Sequence, residues 1–188
     1  MTFRSLFPLS LIAVAAPALA AETYEIDAGH SAVVFSAKHF DVGYTYGRFD
    51  SFSGSFTVDK ANHVNDKVHI EVATTSVNSG VPKRDDHLRN VDFFNSAQFP
   101  TITFDSTKVV VKDADTITVT GNLSMHGVTK PVTFDVDWTG EGDDPWGGHR
   151  MGAHATFSLP RSDWGISGLK DAVGSDIRMI VSLEGTRK

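Results

Sequence analysis

"ITVTGNLSMHGVTKPVTFDVDW", residues 117–138, sets the fold. Ile117, Val119, Gly121, Leu123 and Met125 alternate with Thr118, Thr120, Asn122 and Ser124. After a turn at His126, Val132, Phe134, Val136 and Trp138 alternate with Thr133, Asp135 and Asp137. A period of two is the mark of a strand, because successive side chains leave opposite faces of a sheet. Two such runs back to back imply antiparallel neighbours, each with one apolar and one polar face.

The same rhythm spreads outward in both directions. Val33, Phe35 and Ala37 form one run, Phe52 to Val58 a second, and Val68, Ile70 and Val72 a third. Ile102 and Phe104 begin a fourth; Ala153 to Leu159 and Ile177 to Leu183 complete the set at eight. The links "DKANHVND" (59–66), "KDADT" (112–116) and "GEGDDPWGG" (140–148) are turn material. About eight strands on short links predict an antiparallel sandwich or barrel. One phase break stands out: Ile102 and Phe104 are even, Val109 and Val111 odd. Either Val110 carries the inner face, or a bulge falls within Asp105 to Lys108. The inward set mixes Ala37, Gly54, Gly121, Ala153 and Ala155 with large phenylalanines. That mixture suits either a solid core or a channel. Alternation alone does not say which face is inside. An outer-membrane barrel turns its apolar face outward, but it needs aromatic girdles and a charged lumen that these runs lack.

Totals narrow the function. Residues 1–20 carry one Arg, an apolar run and Ala18-Leu19-Ala20 before Ala21, the pattern of a cleaved export signal. The expected domain is then residues 21–188, delivered to the periplasm. The formal charge is −6, with no basic run, which argues against nucleic acid as a partner. With no cysteine, disulfides, thiol catalysis and thiolate metal sites are excluded.

One segment breaks the alternation. In "KRDDHLRNVDFFNSAQFPTITF" (83–104), charges crowd together before Phe93 and Phe94. Pro82 to about Val91 predicts a short helix, with Pro in the first turn, Asp85 and Asp86 near its positive end, and Leu88 and Val91 on one face. Such a helix, followed by Phe93, Phe94 and Phe99, is suited to cover the open end of a barrel. This segment, "YEIDAGHSAVVFSAKHF" (24–40), "GNLSMHGVTKPVTF" (121–134) and "RSDWGIS" (161–167) together resemble the YceI-like family across nearly the whole chain. The resemblance implies an all-β, eight-stranded antiparallel lipocalin-like barrel with one short helix near its mouth. It further implies an apolar tunnel that holds a long isoprenoid, polyprenyl or quinone-like, or a similar amphiphilic lipid.

The expected wall is Phe35, Phe56, Phe104, Phe134 and Phe157, with Phe93 and Phe94 near the mouth and Trp164 shaping the pocket. His39 and Arg84, with Arg89, are the candidates for a polar head group. The alternative for Arg84 and Arg89 is pairing with Asp85, Asp86 or Asp92 at the surface. No cofactor is expected. A membrane cytochrome of the b561 type is the partner that the family suggests, and a homodimer stays open. An enzyme has thin support: Ser124 and His126 share a strand face without a third partner, and Asp85-Asp86-His87 on a helix diverge. Eight histidines show no tight metal-ligand spacing, so no metal site is expected, and His149 and His154 would meet only by chance geometry.

Overall fold

The computed structural model describes residues 21–188, so the expected export signal lies outside the described residues. Eleven strands form one sheet: β1 (Glu22–Ile26), β2 (Ala32–His39), β3 (Gly43–Phe49), β4 (Phe52–Val58), β5 (Lys67–Ala73), β6 (Val77–Asn78), β7 (Thr101–Val111), β8 (Thr116–Met125), β9 (Val128–Asp143), β10 (His149–Pro160) and β11 (Asp176–Arg187). Among the described residues the one α-helix, α1, spans Pro82–Arg89. β1 and β2 both pair with β11, so the last strand meets the first and the sheet closes. β1 with β2, β3 with β4, and β5 with β6 are each one strand interrupted by a kink, which leaves eight staves.

The kinks have a common consequence. Inward residues are even in β1 (Tyr24, Ile26) and odd in β2 (Val33, Ala37); odd at Phe49 and even at Phe56 and Val58; even at Val72 and odd at Val77. Each break therefore flips the phase of its stave and bends it around the barrel. β7 does the same with a bulge between Ser106 and Lys108. Val109 is buried and Val110 exposed, so the bulge reading holds and Val110 does not carry the inner face. β8 and β9 stay in register from Thr116↔Asp137 to Met125↔Val128. The inward apolar side chains form three packed clusters, around Tyr24–Phe56, Val33–Phe49 and Phe104–Val119.

The helix is shorter than its sequence suggests. Asn90 leaves α1 in extended geometry, so Val91 lies past its end and is exposed. The expected face of Leu88 with Val91 does not form; Leu88 packs with Phe94 against the second cluster. Asp85 is buried in the first turn and accepts from the backbone N–H and hydroxyl of Ser79, which ties the helix to the end of β6.

Gly121 shows what closeness the barrel requires. A Cβ there would lie 2.4 Å from Phe104 Cζ and 2.6 Å from the Asp105 carbonyl oxygen. The glycine lets the Phe104 ring lie over the neighbouring strand. Gly121→Ala is expected to cost about 1–3 kcal/mol, read as a thermal midpoint several degrees lower. Gly43→Ala, where a Cβ meets nothing within 4 Å, should leave the midpoint unchanged.

Candidate functional site

The barrel is not filled. It encloses a cavity of about 220 Å³, lined from every stave and from the segment after α1. Among the lining residues only His154 and Arg161 have ionisable side chains; the rest are apolar. The volume falls below the roughly 300–1,000 Å³ of pockets that take drug-sized molecules. A slim chain suits it better than a ring system.

All five expected wall phenylalanines, Phe35, Phe56, Phe104, Phe134 and Phe157, line this cavity, with Phe93 and Phe94. They fall into groups. Phe134 and Phe157 stack with centroids 4.1 Å apart, and Phe104 lies 5.3 Å from Phe134. Nearer the helix, Phe94 meets Phe49 edge-on at 5.4 Å and Phe35 at 6.5 Å. At the far end Tyr24 stacks on Phe56 at 5.1 Å, within a cluster that includes Met151 and Leu183 and closes the base. Ala37, Ala153 and Ala155 also line the cavity, so these small residues leave bore. Gly121 instead makes room for a ring.

The structure places other candidates elsewhere. His39 is exposed at the end of β2, against the Phe40 ring at 4.4 Å, and does not line the cavity. Arg84 donates from Nε and Nη2 to Ser79 Oγ and Ser79 O, both 2.7 Å, rather than to Asp85 or Asp86. Arg89 pairs with Asp86 at 2.6 Å. Trp164 is buried outside the wall, and its Nε1 donates to Leu123 O at 3.2 Å. It wedges the short turn Arg161–Trp164 against the end of β8.

The enzyme candidates do not assemble. His126 sits in the turn at φ 52°, off the strand face expected to be shared with Ser124. Its Nδ1 lies 3.0 Å from Trp164 O, while Ser124 Oγ bonds Thr129 at 2.7 Å. Asp85, Asp86 and His87 turn to Ser79, Arg89 and Asp92 respectively. His149 is bound by Asp143 at 2.6 Å, and that hydrogen bond raises its pKa. Among the described residues, one group could gather around a cation: Asp27, His30 and Glu184. Arg150 already occupies its centre, 2.8 Å from Asp27 and 2.6 Å from Glu184.

Arg161 is the residue that alternation could not reveal. It is buried, at the cavity rim, with no carboxylate partner. Its guanidinium donates to the carbonyls of Gly168 (2.7 Å), Val173 (2.8 Å) and Gly174 (3.1 Å). Burial lowers its pKa, yet arginine starts so high that it stays charged. A charged donor fully used on carbonyls pins the strap 166–174, whose Ile166 and Val173 line the cavity. The only advance sign was the arginine that opens "RSDWGIS".

A closed eight-stave barrel with an apolar cavity and a pinned strap defines a lipocalin-like class of fold. Comparison makes the family specific. A YceI-like domain is matched over residues 24–185, and the chain belongs to the YceI-like family. It is 41% identical to the YceI protein of Escherichia coli O157:H7 over 181 residues, covering 95% of this chain and 94% of the relative. The crystal structure of Campylobacter jejuni YceI protein superposes with a TM-score of 0.72 at 27% identity, covering 80% of this chain and 90% of that one. A polyisoprenoid binding domain from Saccharophagus degradans shares the fold, with a TM-score of 0.69 at 16% identity, over 88% and 98%.

The network on Arg150 clamps the break between β1 and β2 to β10, β11 and the 144–148 loop. The hydrogen bond from Arg150 is the main cause that holds the Asp27 carboxyl down at about 2, from an ordinary 3.8. A depressed carboxyl stabilises the fold fully above its unfolded pKa, and the contribution is lost as pH falls through the folded one. Stability is expected to fall between about pH 4 and about pH 2. Asp66, raised by burial, opposes this, since protonation relieves it. Arg150→Met should lower the thermal midpoint at pH 7 and flatten this acid limb, followed by circular dichroism across pH.

Proposed function

We propose that this protein is an exported lipid-binding barrel that holds one long isoprenoid, polyprenyl or quinone-like, or a similar amphiphilic chain, for sequestration or transport. The observation that carries this reading is the enclosed cavity, with an apolar wall drawn from every stave. Empty apolar space forfeits packing contacts, so a solid core would be more stable; a binding role accounts for the space. The name of the Saccharophagus degradans domain, polyisoprenoid binding, adds the chain type.

The wall offers almost no hydrogen bonds, so selection rests on girth and length. Each buried methylene contributes about 0.8 kcal/mol, while association costs roughly 4–15 kcal/mol. Ten carbons contribute about 8 kcal/mol and twenty about 16, so long chains are retained and short ones escape. Native mass spectrometry of protein from its native host, followed by organic extraction, tests this directly. One bound long chain is expected; a bare chain mass, with no uptake of offered isoprenoids, overturns the reading.

The wall also locates the bore. Ala153 lines the cavity and sits opposite Leu183 in the β10–β11 register. Ala153→Trp is expected to leave a folded barrel by circular dichroism and to cut uptake of a twenty-carbon chain by at least about tenfold. Unchanged uptake would show that the chain does not pass Ala153.

A further inference from the structure

The mouth of the barrel carries large apolar side chains that nothing among the described residues covers. Phe40 is 61% exposed, Val42 86%, Val91 72% and Leu169 55%. They come from three separate segments that the backbone ties together. The Phe40 N–H donates to Ala172 O at 2.9 Å, and the Gly174 N–H to Lys38 O at 2.9 Å, joining the β2–β3 hairpin tip to the strap. The Gly168 N–H donates to Asp92 O at 3.0 Å, joining the strap to the segment after α1. Each exposed side chain is within five residues of one that lines the cavity: Ala37, Phe93 or Val173. The exposed apolar rim is thus continuous with the apolar wall.

Two of these residues hold a backbone shape that their side chains oppose. Phe40 has φ 49° and Leu169 φ 48°, in the left-handed region that Gly and Asn adopt most easily. A large apolar side chain that is both strained and mostly exposed gains little from folding, which points to a role outside the fold. The rim carries both signs of charge side by side: Lys38 pairs with Asp41, Arg89 with Asp86, and exposed Lys170 stands next to Asp171. That leaves little field to attract an anionic surface, and makes apolar insertion the attractive term.

From this we infer that the mouth face, Phe40, Val42, Val91 and Leu169, docks into the interfacial layer of a lipid bilayer, irrespective of head-group charge. The barrel would then stand mouth-down, and a long chain could pass between bilayer and cavity without crossing water. The inference deepens the proposed function and rests on it for the purpose of the face; the docking itself is measured separately.

The test is flotation of the full chain with phosphatidylcholine vesicles at low and high salt. Wild type is expected to float at both. Phe40→Asn with Leu169→Asn should cut the bound fraction about tenfold or more, since each loses an apolar side chain. Asparagine suits positive φ, so the thermal midpoint of this variant should hold or rise; if these side chains stabilised the fold by packing, it would fall. A Val42→Trp variant should be quenched by brominated lipid, while Trp146, 84% exposed in the loop beside β10, should not respond. Absence of flotation, flotation undiminished in the double variant, or release by salt would each overturn the inference. So would a double variant that turns a dimer into a monomer without altering flotation, because a second copy would then be what covers the face. Mass analysis of bound chain in the same preparations separates the two readings. Flotation without cargo removes the proposed function and leaves docking; cargo without flotation does the reverse.

Discussion

The structure depends on β11 pairing with both halves of the first stave. Met179 meets Phe35 and Val181 meets Val33 on one side of the kink, and Gly185 meets Ile26 on the other. This pairing links residues about 150 apart in the chain, and without it the sheet has two open edges and no inside. Closure turns an alternating pattern into a container, since every inward side chain then faces another stave. It also fixes the size of the container. Eight staves leave an interior just wide enough for side chains or one slim ligand. The choice between them falls to a few positions, where Ala37, Ala153 and Ala155 stand in place of larger residues.

Eight runs of alternation give eight staves, and the five wall phenylalanines were legible because alternation and aromatic size both mark them. What stayed hidden follows from the kinks. "ETYEI" (22–26) and "GYTYGRF" (43–49) are strands whose inward phase is opposite to that of the run beyond each kink. A scan in steps of two picks up one phase and loses the other. Val109 against Val110 is the same problem in one strand, and only the register with β8 resolves it. Arg161 was hidden, and Trp164 was placed at the pocket, for another reason. Both act through backbone carbonyls, and a carbonyl partner leaves no mark on residue type. The head-group candidates His39 and Arg84 were placed by their nearness to the mouth in sequence. Nearness does not orient a side chain, and Arg84 turns to Ser79 instead.

The polar clusters are mostly spent on the fold. Asp85 anchors α1, Arg150 fastens a kink, Arg161 pins a strap, and His69 on the outer wall and His149 at the start of β10 are each held by a carboxylate. Each is a group that could have been read as chemistry, and each has its hydrogen-bonding capacity largely used. A catalytic group needs some of that capacity free for a reacting atom. The arrangement within the cavity is the opposite, apolar surface left without partners.

The two ends of the barrel differ in a way that gives the cavity a direction. At the base Tyr24, Phe56 and Met151 pack together, and the strand ends and loop around them carry paired charges such as Lys60 with Glu141 and Arg187 with Glu22. That end offers paired charges and packed rings in place of an exposed apolar rim. At the mouth the covering pieces are an eight-residue helix and a strap held by Arg161 and by backbone hydrogen bonds to the end of β2 and to the segment after α1. Neither is part of the closed ladder, so either can shift without breaking the pairing of β11 that the barrel depends on. Under the proposed function, a chain entering at this end would leave the ring intact, and the Arg161 contacts are among those it would have to pass.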